Sequence, residues 1–208
     1  LGPDANDIWA STFHSACVRI LRRDIDRLGF DKDFTIYDTD DSKRVIKDVL
    51  KEKHLDEKTY PPRSVLAAIS HSKDQYESIE DFAKRAEAAN DWRMKDYARI
   101  YAAYEKRLRT ANALDFDDII FHTVTLLQQE PEVLDYYQRK FRYVLVDEYQ
   151  DTNHLQYLLT SLLAGGYQNL CVVGDDDQSI YRFRGANIEN ILNFEEQYPN
   201  ARTIRLEQ

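Results

Sequence analysis

The spacing of apolar positions changes twice along the chain. "DIWASTF", residues 7–13, is a short apolar run with aromatic and β-branched members, and it predicts a buried strand. Val18, Leu21, Ile25 and Leu28 then recur at helical spacing, so a helix is expected from about His14 to Leu28, with Gly29 as the residue that ends it. From about Asp31 to Thr110 the pattern is helical throughout. Asp38 to Asp41 offers caps before a helix with Val45, Ile46, Val49 and Leu50 on one face. Pro61 and Pro62 break the chain, and Ser78 with Asp81 caps the next helix. A long helix is expected from about Asp91 to Arg109, with an apolar stripe of Trp92, Tyr97, Ile100, Tyr101, Tyr104 and Leu108.

After Asp115 short apolar runs alternate with helices. "FDDIIFHTVTLL" reads as a helix and Pro131 starts another. "YVLVDE", a helix over "HLQYLLTSLLA", "NLCVVGD", a helix over "IENILNFEEQY" and "ARTIRLE" follow in turn. This alternation predicts an α/β fold: a parallel sheet with crossover helices, buried on both faces. The strand near Ile8 belongs to the same sheet, which makes the helical block an insertion between two of its strands. No internal repeat and no low-complexity segment appears.

Composition adds limits. The chain has 208 residues, 43% of them hydrophobic and 31% charged, as in an ordinary globular protein with a sizeable core. A net charge of −9 argues against a wholly basic nucleic-acid coat but leaves room for a local basic groove. Cys17 and Cys171 sit in apolar surroundings without metal-ligand spacing and read as small buried thiols. No stretch approaches the roughly 20 apolar residues of a membrane span. No leader pattern is seen, so a cytosolic protein is expected. The chain opens "LGPDANDIWAS", has Met94 as its only methionine and stops at "RLEQ", which suggests a piece excised from something longer.

The chemistry gathers where predicted strands end. Ser11 and Thr12 follow the first, Asp147 and Glu148 the second, and Gly174 to Gln178 the third. Ligands of open parallel sheets bind at that edge. An Asp-Glu pair there suits nucleotide hydrolysis, with Asp147 ordering Mg²⁺ through its water shell and Glu148 polarising the attacking water. The same pair would also suit the acidic first turn of a helix. "IYRFRGA" interleaves two aromatics with two arginines, a pattern suited to base stacking and phosphate contact.

"VDEYQDT" followed by "VVGDDDQSIYRFRGA", together with "STFHS" and "LDFDD", resembles the UvrD/PcrA/Rep-type superfamily 1 DNA helicases, with the PcrA-like bacterial members nearest. The resemblance runs in order through nearly the whole chain. It implies a partial RecA-like (P-loop NTPase) parallel sheet with a mostly helical inserted subdomain. Residues 1–30 and 111–208 would belong to motor domain 1A, and 31–110 to subdomain 1B. The implied activity is ATP-dependent 3′–5′ translocation on single-stranded DNA, with 3′-tailed duplex as a further substrate, in the bacterial cytoplasm. Asp147 would coordinate Mg²⁺ and Glu148 would act as base. Gln150 and Asp151 would couple the nucleotide site to the neighbouring motif, and Gln178 would sense the γ-phosphate of ATP. Thr12, His14, Asp115, Phe116, Tyr181, Phe183 and Arg184 would line the DNA path. Phe183 stands where many members carry Trp and keeps a smaller stacking face.

The phosphate-binding pattern GxxxxGK followed by Ser or Thr does not occur, because none of the six glycines precedes lysine. In the family that loop lies upstream of "STFHS", and a second motor domain follows. The chain is therefore expected to need both as partners, to bind no cofactor by itself and to lack ATPase activity. Repair or replication proteins are further expected partners. Two other readings stay open: a non-catalytic DNA- or partner-binding module, and part of an AddA/RecB-type helicase–nuclease. A metal-dependent nuclease using Asp147, Glu148, Asp151 and Asp175 to Asp177 lacks the nearby lysine such sites generally use.

Overall fold

The structure, a computed structural model, describes residues 7–175 and 189–205. Helix α1 (Phe13–Asp24) starts at Thr12, whose hydroxyl oxygen accepts from Ser15 N at 3.2 Å. It passes through a 3-10 turn (Ile25–Leu28) to Gly29, which at φ +81° adopts the left-handed conformation that ends helices and suits glycine best.

Four helices follow: α2 (Thr39–Glu52), α3 (Pro62–Asp74), α4 (Ile79–Ala88) and α5 (Trp92–Thr110). Three of them start at side-chain caps, and α3 starts at Pro62. Asp38 and Asp41 cap each other's main chain, Ser78 accepts from Asp81 N, and Asp91 accepts from Arg93 N and Met94 N. They bury a core of their own, with Ile46, Leu50, Val65, Phe82, Ile100 and Tyr104 at its centre. Trp92 departs from its expected place on the apolar stripe and is 64% exposed. As the first helical residue it leans toward the helix N-terminus, off the packed face.

The stretch 31–110 is not helical throughout. Strand β1 (Thr35–Ile36) pairs in parallel with β2 (Ala113–Leu114), Thr35 opposite Ala113. Asn112, at φ +47°, accepts through Oδ1 from Asp31 N at 2.9 Å. Both ends of the helical block are thereby tied together at its base. No alternating pattern marks two-residue strands, so the sequence gives no sign of them.

Helices α6 (Phe116–Gln129) and α7 (Pro131–Lys140), strand β3 (Val144–Val146), helix α8 (His154–Ala164) and strand β4 (Leu170–Val172) complete the larger part. A second core joins α1, α6, α7 and α8 through Cys17, Leu21, Ile119, Leu127, Tyr137 and Leu159. Strands β3 and β4 pair in parallel, Leu145 opposite Cys171. The chain is thus mixed helix and sheet with short parallel strands, as its alternating pattern predicts.

Four expectations are corrected. Residues 8–12 form no strand. Ile8 is 61% exposed, and Trp9 packs its ring edge-on to Phe141 at 4.9 Å beneath the Arg19 guanidinium. A strand needs a ladder neighbour, and among the described residues this segment has none. Second, among the described residues the β3–β4 sheet is not covered on both faces. Val146 is buried while Leu145 is 75% exposed, the alternation of a sheet packed on one side. Third, Cys171, opposite Leu145, is exposed and only Cys17 is buried. Fourth, residues 201–205 form no strand, and "IENILNFEEQY" gives two short helices, α9 (Glu189–Leu192) and α10 (Phe194–Gln197), interrupted at Asn193. No described helix is long and apolar enough to cross a membrane.

Candidate nucleotide and nucleic-acid site

Because β3 and β4 are parallel, their carboxyl ends meet at one edge. Val173 N donates to Val146 O at 2.8 Å, and Tyr149 N donates to Val173 O at 2.9 Å. Asp147 and Glu148 fall between these two bonds, at the point where the strand turns away. Glu148 has φ +50° and ψ +43°, a left-handed conformation that is uncommon for a residue with a side chain. Holding such a conformation costs about 1–3 kcal/mol and is typical of sites where side-chain direction matters. Asp147 Oδ1 accepts from Glu148 N at 2.9 Å. Both side chains are exposed at the edge.

Gln150 fixes the arrangement. It is 1% exposed, and its Nε2 donates to Glu148 Oε2 at 2.7 Å while its Oε1 accepts from Asp175 N at 3.1 Å. One buried amide thus ties the acid after β3 to the main chain after β4. Asp151 ends the short turn Tyr149–Asp151. Thr152 Oγ1 then donates back to Tyr149 O at 2.7 Å, and Asn153 caps α8. From the far side, Asn190 Nδ2 donates to Thr152 O at 3.1 Å. The donor set fits one wall of a Mg²⁺–nucleotide site. Two adjacent exposed carboxylates face out, and each keeps an oxygen that none of these hydrogen bonds uses.

A second feature lies beside it. An open cleft of about 810 Å³ is bounded by His14 and Phe116 on one side, by Tyr37, Arg63 and His71 of the helical block on the other, and by Asp151. The rings of His14 and Phe116 stack, with centroids 3.7 Å apart and planes 18° from parallel. Thr12 caps α1 and Asp115 caps α6, so His14 and Phe116 each ride the first turn of their helix. Phe116 is 46% exposed, so it offers a ring surface to the cleft.

Asp115 also lines this cleft. Its side chain is turned inward, where Oδ2 accepts from Tyr104 Oη at 2.9 Å and from Lys73 Nζ at 2.7 Å. Lys73, 1% exposed, also lies 2.6 Å from Asp118 Oδ1 and 2.7 Å from Glu105 Oε1. Burial works against the Lys73 charge, but three carboxylates outweigh it and hold the ammonium firmly protonated. Burial and the neighbouring carboxylates push Asp118 up, whereas Lys73 and hydrogen bonds overcome burial to keep Asp115 low. Burial, reinforced by Lys73, pushes His122 down to about 3. Glu105, Asp118 and His122 bring ligand atoms within 4.8 Å of one another. Lys73 touches the two carboxylates of that group, so its ammonium takes the place a cation would fill.

Of the residues expected at the site, Asp147, Glu148, Gln150 and Asp151 come together at one edge, and His14 and Phe116 at the neighbouring cleft. Thr12 caps α1 from behind His14. Gln178, Tyr181, Phe183 and Arg184 lie outside the described residues. Lys73, Tyr104, Glu105 and Asn190 were not anticipated. Asp118 could have been, since an Asp three residues after the capping Asp115 is a capping-box pattern.

Residues 1–199 match the family model described as UvrD/REP helicase N-terminal domain. The chain is 57% identical over its whole length to an ATP-dependent DNA helicase PcrA of Bacillus subtilis (strain 168), spanning 28% of that protein. It is 54% and 53% identical to proteins of the same name from Staphylococcus epidermidis and Staphylococcus aureus, again over the whole chain and 28% of each relative. By the extent of these matches, the chain belongs to the UvrD/REP helicase family.

Proposed function

We propose that this chain is the part of an ATP-dependent 3′–5′ DNA helicase that carries one wall of the nucleotide site and one wall of the single-strand path. The observation that carries this reading is the buried Gln150 amide, which sets Glu148 against the end of β4. Residues 1–30 with 111–208 are then part of a RecA-like motor domain, and the helical block at 31–110 is its inserted subdomain.

In this reading Asp147 would hold Mg²⁺, which would supply charge neutralisation at the phosphates. Glu148 accepts the proton of the attacking water. Its left-handed backbone and the Gln150 hydrogen bond aim the carboxylate before nucleotide arrives. Gln150 and Asp151 carry the state of this edge toward the cleft, and Gln178 reads the γ-phosphate. His14, Phe116, Tyr181, Phe183 and Arg184 grip single-stranded DNA by stacking and phosphate contact, with Thr12 and Asp115 as the caps that place two of them. The 208 residues hold no phosphate-cradling glycine–lysine loop, so the isolated chain binds DNA without hydrolysing ATP. The whole protein works on 3′-tailed duplexes in the bacterial cytoplasm, alongside repair or replication proteins.

The test is Glu148→Gln in the whole protein, read as DNA-stimulated ATP hydrolysis. Loss of a general base predicts a fall of about 10²–10⁴-fold with nucleotide binding kept. A rate within a few-fold of the parent would sink the assignment.

A further inference from the structure

Lys73 belongs to none of the motifs read from the sequence, yet it sits at the junction of three elements. It lies in the last turn of α3, and its Nζ is 2.6–2.7 Å from Glu105 of α5 and from Asp115 and Asp118 at the start of α6. The ammonium donates to Asp115 and Asp118, and Glu105 adds a third carboxylate as an ion-pair partner.

Asp115 and Asp118 are the two halves of one capping box. Asp118 N donates to Asp115 Oδ1 at 2.8 Å, and Asp115 N donates to Asp118 Oδ2 at 3.0 Å. The same kind of box occurs at Asp38 and Asp41, where it is solvated and has no lysine in its centre. Starting a helix therefore does not require burial or an ammonium. Burying the second box costs the desolvation of two carboxylates, which Lys73, the Tyr104 hydroxyl and the box's own main-chain bonds offset. In return the first turn of α6 is held in one direction against the helical block.

Phe116 directly follows the first of those acids in the same helical turn, and it stacks on His14. We infer that Lys73 is a positioning residue for the cleft: by fixing the first turn of α6 against α3 and α5, it holds Phe116 on His14 and so sets the platform on which a base stacks. This inference rests on reading the cleft as a single-strand site. It makes the helical block part of the grip although Lys73 never meets the strand.

The experiment uses the 208-residue chain and two readouts. One is the NMR shift of the His14 imidazole protons, which the Phe116 ring current displaces; Phe116→Ala gives the unstacked reference. The other is fluorescence anisotropy of labelled oligo-dT. Lys73→Met removes the charge at similar length, and Lys73→Met with Asp118→Asn also relieves the surplus acid so that the fold is kept. Tyr104→Phe, which removes only the hydroxyl donor to Asp115, serves as a milder third variant. In folded variants the His14 resonance is expected to move toward the unstacked reference, least in Tyr104→Phe. Oligo-dT binding is expected to weaken about five-fold or more in the lysine variants, corresponding to about 1 kcal/mol of lost stacking. An unmoved His14 resonance in the folded variants would overturn the inference, as would a moved resonance with unchanged binding. The reading of the cleft fails separately, if Phe116→Ala itself leaves oligo-dT binding unchanged.

Discussion

Glu148 and Gln150 are joined side chain to side chain at 2.7 Å, and through its other end Gln150 reaches the main chain of Asp175. This relationship gives the acid after β3 a fixed direction. It also means that the acid does not act alone: whatever displaces the segment after β4 pulls on Gln150, and through it on Glu148.

Gln150→Leu keeps the volume of the side chain and removes both bonds. Asp175 N loses its side-chain partner and the Glu148 carboxylate loses its anchor. A destabilisation of about 1–3 kcal/mol is expected, the range for leaving a buried polar partner unpaired. Urea unfolding of the two chains measures it. A variant as stable as the parent would show that the bridge is loose in solution.

The two cysteines should behave oppositely. Cys17 is fully buried against α6, and burial pushes its thiol up to about 12. Cys171 is exposed on the bare face of the sheet. A thiol reagent under native conditions is expected to label one cysteine at once, lost in Cys171→Ser, and the second only after denaturant is added. Simultaneous labelling of both would mean that the α1–α6 core opens readily.

His122 carries a pH dependence of definite sign. Its pKa falls from the ordinary 6.5 to about 3 in the folded chain, first through burial and then through Lys73. As pH drops below 6.5 the unfolded chain takes up a proton that the folded chain refuses, so this contribution is complete above 6.5 and drains away toward 3. Lys73 and Arg109 oppose the imidazolium while Asp115 and the nearby Asp118 favour it, and the histidine still resists protonation. The raised Asp118 and Glu105 act in the other direction, gaining protons in the folded state. His122→Gln should therefore lose less stability than the parent between pH 6.5 and about 5, a window above the ordinary carboxylate range. Unfolding at the two pH values checks it, and parallel losses would contradict the burial argument.

Much of this was legible from residue pattern. The helix starts at Asp38 and Ser78 follow from capping chemistry, which is local and fixed by two or three neighbours. The edge bearing Asp147 and Glu148 followed from an apolar strand that stops at acids. What was not legible depends on distant parts of the chain. The strand expected near Ile8 fails because alternation sets which faces are apolar but not whether a ladder partner is present. Cys171 looked buried among Leu170 and Val172, yet on a sheet covered on one side every second residue faces out. Nothing in the local pattern marks Lys73, because its three acids lie 32 to 45 positions further on, as the numbering of Glu105, Asp115 and Asp118 shows. Glu148 in a left-handed conformation has no signal in its residue type at all.

The most direct test of the account is fluorescence anisotropy of a labelled oligo-dT with the 208-residue chain, at low and at moderate salt, beside Phe116→Ala and Phe183→Ala. Binding is expected to weaken with salt, because phosphates are contacted, and to fall about five- to 150-fold with either substitution, the equivalent of about 1–3 kcal/mol per stacked base. Binding indifferent to both substitutions, or no binding in low salt by a chain that melts cooperatively, would contradict the assignment of the cleft.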